Sequence, residues 1–181
     1  LKLITALDPL ESLQYLDLGY NRFDSIKSIP IDKLVSLEYF NFEENWISSD
    51  LSESKEEDCS RRTMNSKIQL FIYLEESVNN KIVFGCCFGN LFKLKIIFRK
   101  FFQDNETATI QLDLRGVYKI RELFLDSNNI SSFKQFHLIS NVSNEIIDVL
   151  SFSANQIKSI DSIEFKGINK LKKLDFSSND I

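Results

Sequence analysis

Apolar residues in this chain recur on a fixed template. Residues 13–23 read LQYLDLGYNRF and residues 171–181 read LKKLDFSSNDI. Both place apolar side chains at template positions 1, 4, 6 and 11, and an asparagine at 9. Three further stretches fit: 37–47 (LEYFNFEENWI), 120–130 (IRELFLDSNNI) and 147–157 (IDVLSFSANQI). Residues 91–101 (LFKLKIIFRKF) keep every apolar slot but carry Arg99 in place of the asparagine. Residues 68–78 (IQLFIYLEESV) fit more weakly, with Glu76 there. The copies at 13 and 37, and at 147 and 171, start 24 residues apart; the other steps are 31, 23, 29 and 27. An amphipathic helix would instead repeat about every 3.6 residues.

The template predicts its own structure. Its central LxL is a short strand whose alternate side chains face opposite ways, so Leu16 and Leu18 point inward and Asp17 outward. Strands of successive copies pair in parallel. The apolar residues that follow, Phe23, Ile26, Ile31, Leu34 and Leu37 in one copy and Ile157, Ile160, Phe165, Ile168 and Leu171 in another, continue the core. Leu7 and Leu10 occupy the Phe165 and Ile168 slots of an earlier partial copy. The asparagines, Asn21, Asn45, Asn128, Asn155 and Asn179, stand where the chain leaves the sheet. Each carries donors and an acceptor for the backbone groups that a turn leaves unpaired. Arg99 and Glu76 cannot serve in the same way, so their turns must be built differently.

The motif LxxLxLxxNxL is that of the leucine-rich repeat. The chain resembles extracellular leucine-rich-repeat proteins, including Toll-type receptor ectodomains and related secreted or membrane-anchored proteins. The likeness covers residues 1–47 and about 114–181 well, and 48–113 poorly. It implies an α/β repeat solenoid: a horseshoe with a parallel β-sheet on the concave face and loops or short helical turns on the convex face. The expected organisation is one domain over 1–181, about seven repeats plus a partial first one. Residues 68–113 form degenerate repeats. Residues 48–67 (SSDLSESKEEDCSRRTMNSK) are polar and charge-rich, and read as an insertion or disordered loop. A regulatory or proteolytic loop and an erroneous gene model are the alternatives. The usual cysteine-rich caps are absent. The chain starts and stops inside a repeat, so it reads as a fragment.

Composition changes this picture little. The 181 residues hold 22 Lys and Arg against 26 Asp and Glu, a net charge of −4. That argues against a general nucleic-acid binder, which needs a basic surface. The cysteines Cys59, Cys86 and Cys87 are odd in number, with no CxxC pair. The most apolar run, residues 82–88, is far shorter than the ~20 residues of a membrane helix. His137 has no serine or cysteine partner in sequence, and neither a phosphate loop nor an HExxH motif occurs. Glu56, Glu57 and Asp58 read as a solvated run. Lys93 and Lys95 fall on outward strand positions, and with Arg99 and Lys100 read as surface charges. The sequence thus predicts neither catalysis nor a metal or cofactor.

What remains informative is the exposed face of the sheet. Its expected binding residues are Tyr15, Asp17, Tyr20, Tyr39, Asn41, Glu43, Glu44, Arg121, Glu122, Phe124 and Asp126, with Asp148, Ser151, Lys173 and Asp175 continuing the row. Aromatic residues on such a surface are potential anchors for a partner. Asn105, Asn129 and Asn141 begin Asn-x-Ser/Thr sequons, which are compatible with secretion. The expectation is a non-enzymatic module that binds a protein or microbial ligand, on an extracellular or cell-surface protein that could dimerise. An intracellular scaffold built on similar repeats is the alternative; the 24-residue steps and Phe165 favour the extracellular type.

Overall fold

In a computed structural model the described residues are 7, 10–26, 29–48, 69–76, 81–83, 91–98, 110–114, 117, 120–132, 136–139, 147–160, 168 and 170–181. They contain ten strands: β1 (Tyr15–Asp17), β2 (Tyr39–Ser48), β3 (Gln69–Glu76), β4 (Lys81–Val83), β5 (Lys93–Phe98), β6 (Ile110–Asp113), β7 (Glu122–Phe124), β8 (Phe136–Ile139), β9 (Val149–Ser151) and β10 (Lys173–Asp175). A seven-stranded sheet runs in the order β1-β2-β3-β5-β7-β9-β10. All its pairings are parallel. Parallel neighbours need a crossover between them, and the rest of each repeat supplies it.

Register follows the template. Leu16 pairs with Phe40, Phe40 with Leu70, Leu70 with Leu94, Leu94 with Leu123, Leu123 with Leu150, and Leu150 with Leu174. Template position 4 is therefore one row across the sheet. Phe40, Leu94 and Leu123 in that row are fully buried. Position 6 makes a second buried row through Leu18, Phe42, Ile72, Ile96, Leu125 and Phe152. Rings touch along it: Phe23 and Phe42 lie 5.2 Å apart between centroids, and Phe40 and Phe42 5.3 Å. Ile26, Ile31, Leu34 and Leu37 close the core behind the first strands. Burying each such side chain contributes about 1.5–3 kcal/mol. Ile160, Leu174 and Ile181 are exposed instead, at 47, 40 and 61 %. In a stacked array only a following turn covers these slots.

Two expectations need correction. The third copy is shifted by one residue. Gln69, not Leu70, stands opposite Tyr39, so Leu70 and Ile72 are the buried pair and Phe71 lies outside on the sheet face. A one-residue slip turns every side chain of a strand over. The template begins at 67 there, and Glu75 rather than Glu76 takes the asparagine slot. Second, the crossovers are not only loops and helical turns. β4, β6 and β8 form a three-stranded parallel sheet of their own. Strands from β3 to β9 thus alternate between two sheets, with Leu112, Leu114 and Val117 joining the same core. The described helical content is 3-10 turn, as at Ile31–Lys33. Residues 49–68, with most of the proposed insertion, lie outside the described set, as do all three cysteines.

Turns at the end of each strand come in two kinds. Where the asparagine is present, the residue before it takes a left-handed conformation: Tyr20, Glu44, Ser127, Ala154 and Ser178 have φ between 52° and 58°. Backbone pairing continues through the bend, with Tyr20 N bonding Glu43 O and Ala154 N bonding Ser177 O, both at 2.9 Å. Where the asparagine is missing, the strand simply runs on. Leu74 in β3 pairs with Phe98 in β5 one position before that slot, where the other copies take the left-handed turn. β2 joins the two regimes: its register with β3 jumps between Phe42 and Ile47, which lets the Asn45 turn bulge out before the strand resumes.

Candidate binding surface

The asparagines fix the edge of the face. Asn155 donates from Nδ2 to Leu125 O (2.9 Å) and Phe152 O (2.8 Å), and its Oδ1 accepts from Asn128 N (2.9 Å) and Ile130 N (3.0 Å). Asn45 repeats the pattern with Leu18 O (2.8 Å) and Phe23 N (3.1 Å). Asn179 does so with Phe152 O (2.9 Å) and Ile157 N (3.0 Å), and Asn128 reaches Ile96 O (2.9 Å). Each thus ties its own turn to the preceding repeat. Among the described residues, Asn21 bonds only carbonyls of its own repeat, Leu18 O and Gly19 O, and it is exposed.

Polar side chains stitch the outward face. Asp17 Oδ1 accepts from Gly19 N (2.9 Å) and Asn41 Nδ2 (3.0 Å), and Asn41 Oδ1 accepts from Glu43 N (3.0 Å). This pair leans over Gly19, where an added Cβ would meet Asn41 Nδ2 at 2.9 Å. Ser151 Oγ donates to Asp126 at 2.5 Å, Ser153 N to the same oxygen at 2.9 Å, and the Ser153 and Ser177 hydroxyls lie 2.9 Å apart. The Ser177 hydroxyl and amide bond Asp175 and, with nearby Lys173, hold its carboxyl below the usual carboxylate range. Asn41 and Ser151, expected to be displayed, are therefore buried structural groups. Tyr20 sits on the turn beyond the end of β1, and Glu44 on the irregular stretch inside β2 between Phe42 and Ile47.

Between the stitches lies a stripe of rings and ammonium groups. Tyr15 and Tyr39 stack with centroids 4.3 Å apart and planes 2° from parallel. Phe71 follows 5.3 Å from Tyr39. Lys95 Nζ stands 6.0 Å from the Phe71 centroid and 3.8 Å from Glu43, while Lys93 Nζ stands 4.7 Å over Phe124 and 3.4 Å from Glu122. Arg121 and Lys172 both reach Asp148, at 3.4 and 3.2 Å. Burial, the bond to Tyr15 and the carboxylates of Asp17 and Glu43 push the Tyr39 phenol up to about 12. The expected residues Tyr15, Asp17, Tyr39, Glu43, Arg121, Glu122, Phe124 and Asp126 thus share one face. Sequence reasoning missed its middle: Phe71 was assigned inward, and Lys93 and Lys95 were read as plain surface charges. Periodicity on either side could have placed Phe71, because Gln69 and Lys93 are 24 positions apart, the spacing of the regular copies.

Among the described residues no cluster of His, Cys, Asp and Glu is arranged to hold a metal. No described helix is long and apolar enough to cross a membrane. The side chain of His137, in β8, lies outside the described set, as do Arg99, Lys100, residues 56–58, Asn105 and Asn141. Asn129 is half-buried, and its Oδ1 accepts from Gln156 Nε2 at 3.4 Å. Its Nδ2, the atom that would carry a glycan, is not the atom in that bond.

A two-faced stack of parallel strands, edged by buried asparagines and bearing an aromatic stripe, has the build of a recognition solenoid. The family model for the Leucine Rich Repeat matches residues 12–34, which take in β1, Asn21 and the 3-10 turn. This supports a leucine-rich-repeat protein, and repeats of this kind are generally non-enzymatic protein-interaction modules. A search of curated proteins finds no match to the chain.

Proposed function

We propose that the chain is a non-enzymatic recognition module that binds a protein or microbial ligand through the outward side chains of the seven-stranded sheet. The parent is an extracellular or cell-surface protein of the Toll-type receptor kind. The observation that carries the binding reading is the stripe Tyr15–Tyr39–Phe71–Lys95, four residues of four adjacent strands in mutual contact on an open face. Buried aromatic anchors dominate protein interfaces, and rings already stacked on rigid strands lose little freedom on binding. The 24-residue copies and the Asn129 sequon support the extracellular setting.

Selection of ligands from a displayed library of extracellular and microbial surface proteins tests this. A ligand of the face loses at least about tenfold in affinity on Tyr39→Ala or Phe71→Ala and is unaffected by Lys170→Ala. Ligands that ignore both ring deletions would contradict the assignment. Expression through a secretory pathway, with the mass at Asn129 read before and after enzymatic deglycosylation, tests the setting; an unmodified Asn129 in secreted protein removes that support.

A further inference from the structure

Rings recur on the sheet face at a regular step. Tyr15, Tyr39, Phe71 and Phe124 stand on β1, β2, β3 and β7, the first, second, third and fifth strands of the seven-stranded sheet. Tyr15 and Tyr39 share one row across the strands, and Phe71 and Phe124 share the next. The two rows meet at their side chains. The Tyr39 and Phe71 rings lie 5.3 Å apart between centroids, and Lys93, in the first row, reaches to 4.7 Å from the Phe124 centroid. Tyr15, Phe71 and Phe124 thus mark every second strand. Parallel strands lie about 4.8 Å apart, so these marks recur about every 9.6 Å and the outer two stand about 19.2 Å apart.

That step discriminates between the backbones that could lie across the strands. Polyproline II has three residues per turn and a rise of about 3.1 Å, so one of its sides repeats about every 9.3 Å and drifts by only about 0.6 Å between Tyr15 and Phe124. A β-strand repeats about every 6.8 Å on one side, which misses Phe71 by about 2.8 Å. An α-helix repeats about every 5.4 Å, which misses Phe124 by about 2.4 Å. Charge points the same way. Glu43 is engaged by Lys95 and Glu122 by Lys93, and the Asp17 carboxylate by Gly19 N and Asn41 Nδ2. The complement of a stripe whose charges are already paired is an uncharged segment.

We infer that the stripe receives a proline-rich segment of the protein ligand, lying across the strands in the polyproline II conformation with every third residue seated at Tyr15, Phe71 and Phe124. This rests on the reading that the face binds protein, and adds the chemistry and direction of the bound segment. Proline rings pack on aromatic ones, and a segment already held in this conformation loses little freedom on docking. Its carbonyls make no hydrogen bonds within the segment, so they accept from the Tyr15 phenol and the Lys95 ammonium.

The probe is acetyl-PAQPAQPAQ-amide, with proline at every third residue, titrated into the 181-residue chain while aromatic ring resonances are followed by NMR. The controls are acetyl-PPPAAAQQQ-amide, which has the same composition without the spacing, and acetyl-GSGSGSGSG-amide, which is uncharged and flexible. The spaced peptide shifts the Tyr15, Phe71 and Phe124 rings together and saturably, and binds at least about fivefold tighter than either control. Tyr15→Ala, Phe71→Ala and Phe124→Ala each weaken it about three- to tenfold, whereas Lys170→Ala leaves it unchanged. The melting transition of each variant shows that it is folded. Equal binding of the spaced peptide and its controls, shifts confined to one ring, or no saturable shift overturns the inference. A selected protein ligand that depends on Tyr39 and Phe71 but is not displaced by saturating spaced peptide overturns the proline segment while recognition by the face stands. Selected ligands indifferent to all four ring deletions overturn the face as well.

Discussion

Asn155 Oδ1 accepts the backbone N–H of Ile130 at 3.0 Å, across 25 residues of sequence and from one repeat to the one before. The same amide serves Asn128 N and two carbonyls of distinct repeats, Leu125 O and Phe152 O. One buried side chain thus replaces several bonds that the departing backbone gives up. Removing it leaves buried donors and acceptors unpaired, each costing about 1–3 kcal/mol. Asn155→Ala should therefore lower unfolding free energy by about 2–4 kcal/mol. Asn21→Ala, exposed and among the described residues bonded only within its own repeat, should cost less than about 1 kcal/mol. Urea denaturation of the two variants checks this; equal midpoints would reject the ladder.

Ala154 sits just before that asparagine with φ 53°. A left-handed conformation costs a residue with a Cβ about 1–2 kcal/mol, which glycine avoids. Because Ala154 is exposed, no packing is lost with its methyl group. Ala154→Gly should raise stability by about 0.5–1 kcal/mol after the extra unfolded-state entropy of glycine is set against the relief. A lower denaturation midpoint would show that the turn is not strained as described.

The register of β3 separates two adjacent residues. Leu70 is 1 % exposed, while Phe71 is half-buried on the outer face beside Tyr39 and Lys95. Leu70→Ala should cost about 2–5 kcal/mol, and Phe71→Ala about 1 kcal/mol, the scale of its exposed ring contacts. The reverse order, measured by the same denaturation, would restore the register that a naive template fit gives.

That slip shows where the sequence was legible and where it was not. Copies with Leu–x–Leu flanked by Asp, Ser and Asn announce their inward positions by contrast, and the buried rows at Leu16, Phe40, Leu94, Leu123 and Leu150 follow the template. Residues 69–74 read QLFIYL, apolar on both faces, so alternation carries no information there. Only pairing with β2 and β5 decides it. The crossover strands β4, β6 and β8 were likewise hidden, because their pairing partners stand 26 or 30 residues away. The binding face was half legible: outward tyrosines could be named from periodicity, but the lysine–ring contacts, direct for Lys95 and Phe71 and diagonal for Lys93 and Phe124, depend on a register not yet known.

Tyr39 offers a pH test of the tyrosine corner. Its phenol is pushed up to about 12 in the folded chain, against 10.0 for the unperturbed group. The unfolded state therefore loses this proton first. The contribution to stability is complete below pH 10 and falls as pH rises toward 12. Spectrophotometric titration near 295 nm should show a late ionisation step near pH 12, and Tyr39→Phe should remove it. Identical wild-type and Tyr39→Phe curves in the range around pH 12 would contradict the packed Tyr15–Tyr39 arrangement.

Carbene footprinting of the chain, free and bound to a selected protein ligand, tests the central claim that the outward side of the seven-stranded sheet is the recognition face. The account predicts that labelling falls on binding at Tyr15, Tyr39, Phe71 and Phe124, which belong to four strands of that sheet, while the half-buried Gln111 and Leu138 of the second sheet keep theirs. Protection of Gln111 and Leu138, with those four rings unchanged, would place the binding surface on the second sheet and contradict it.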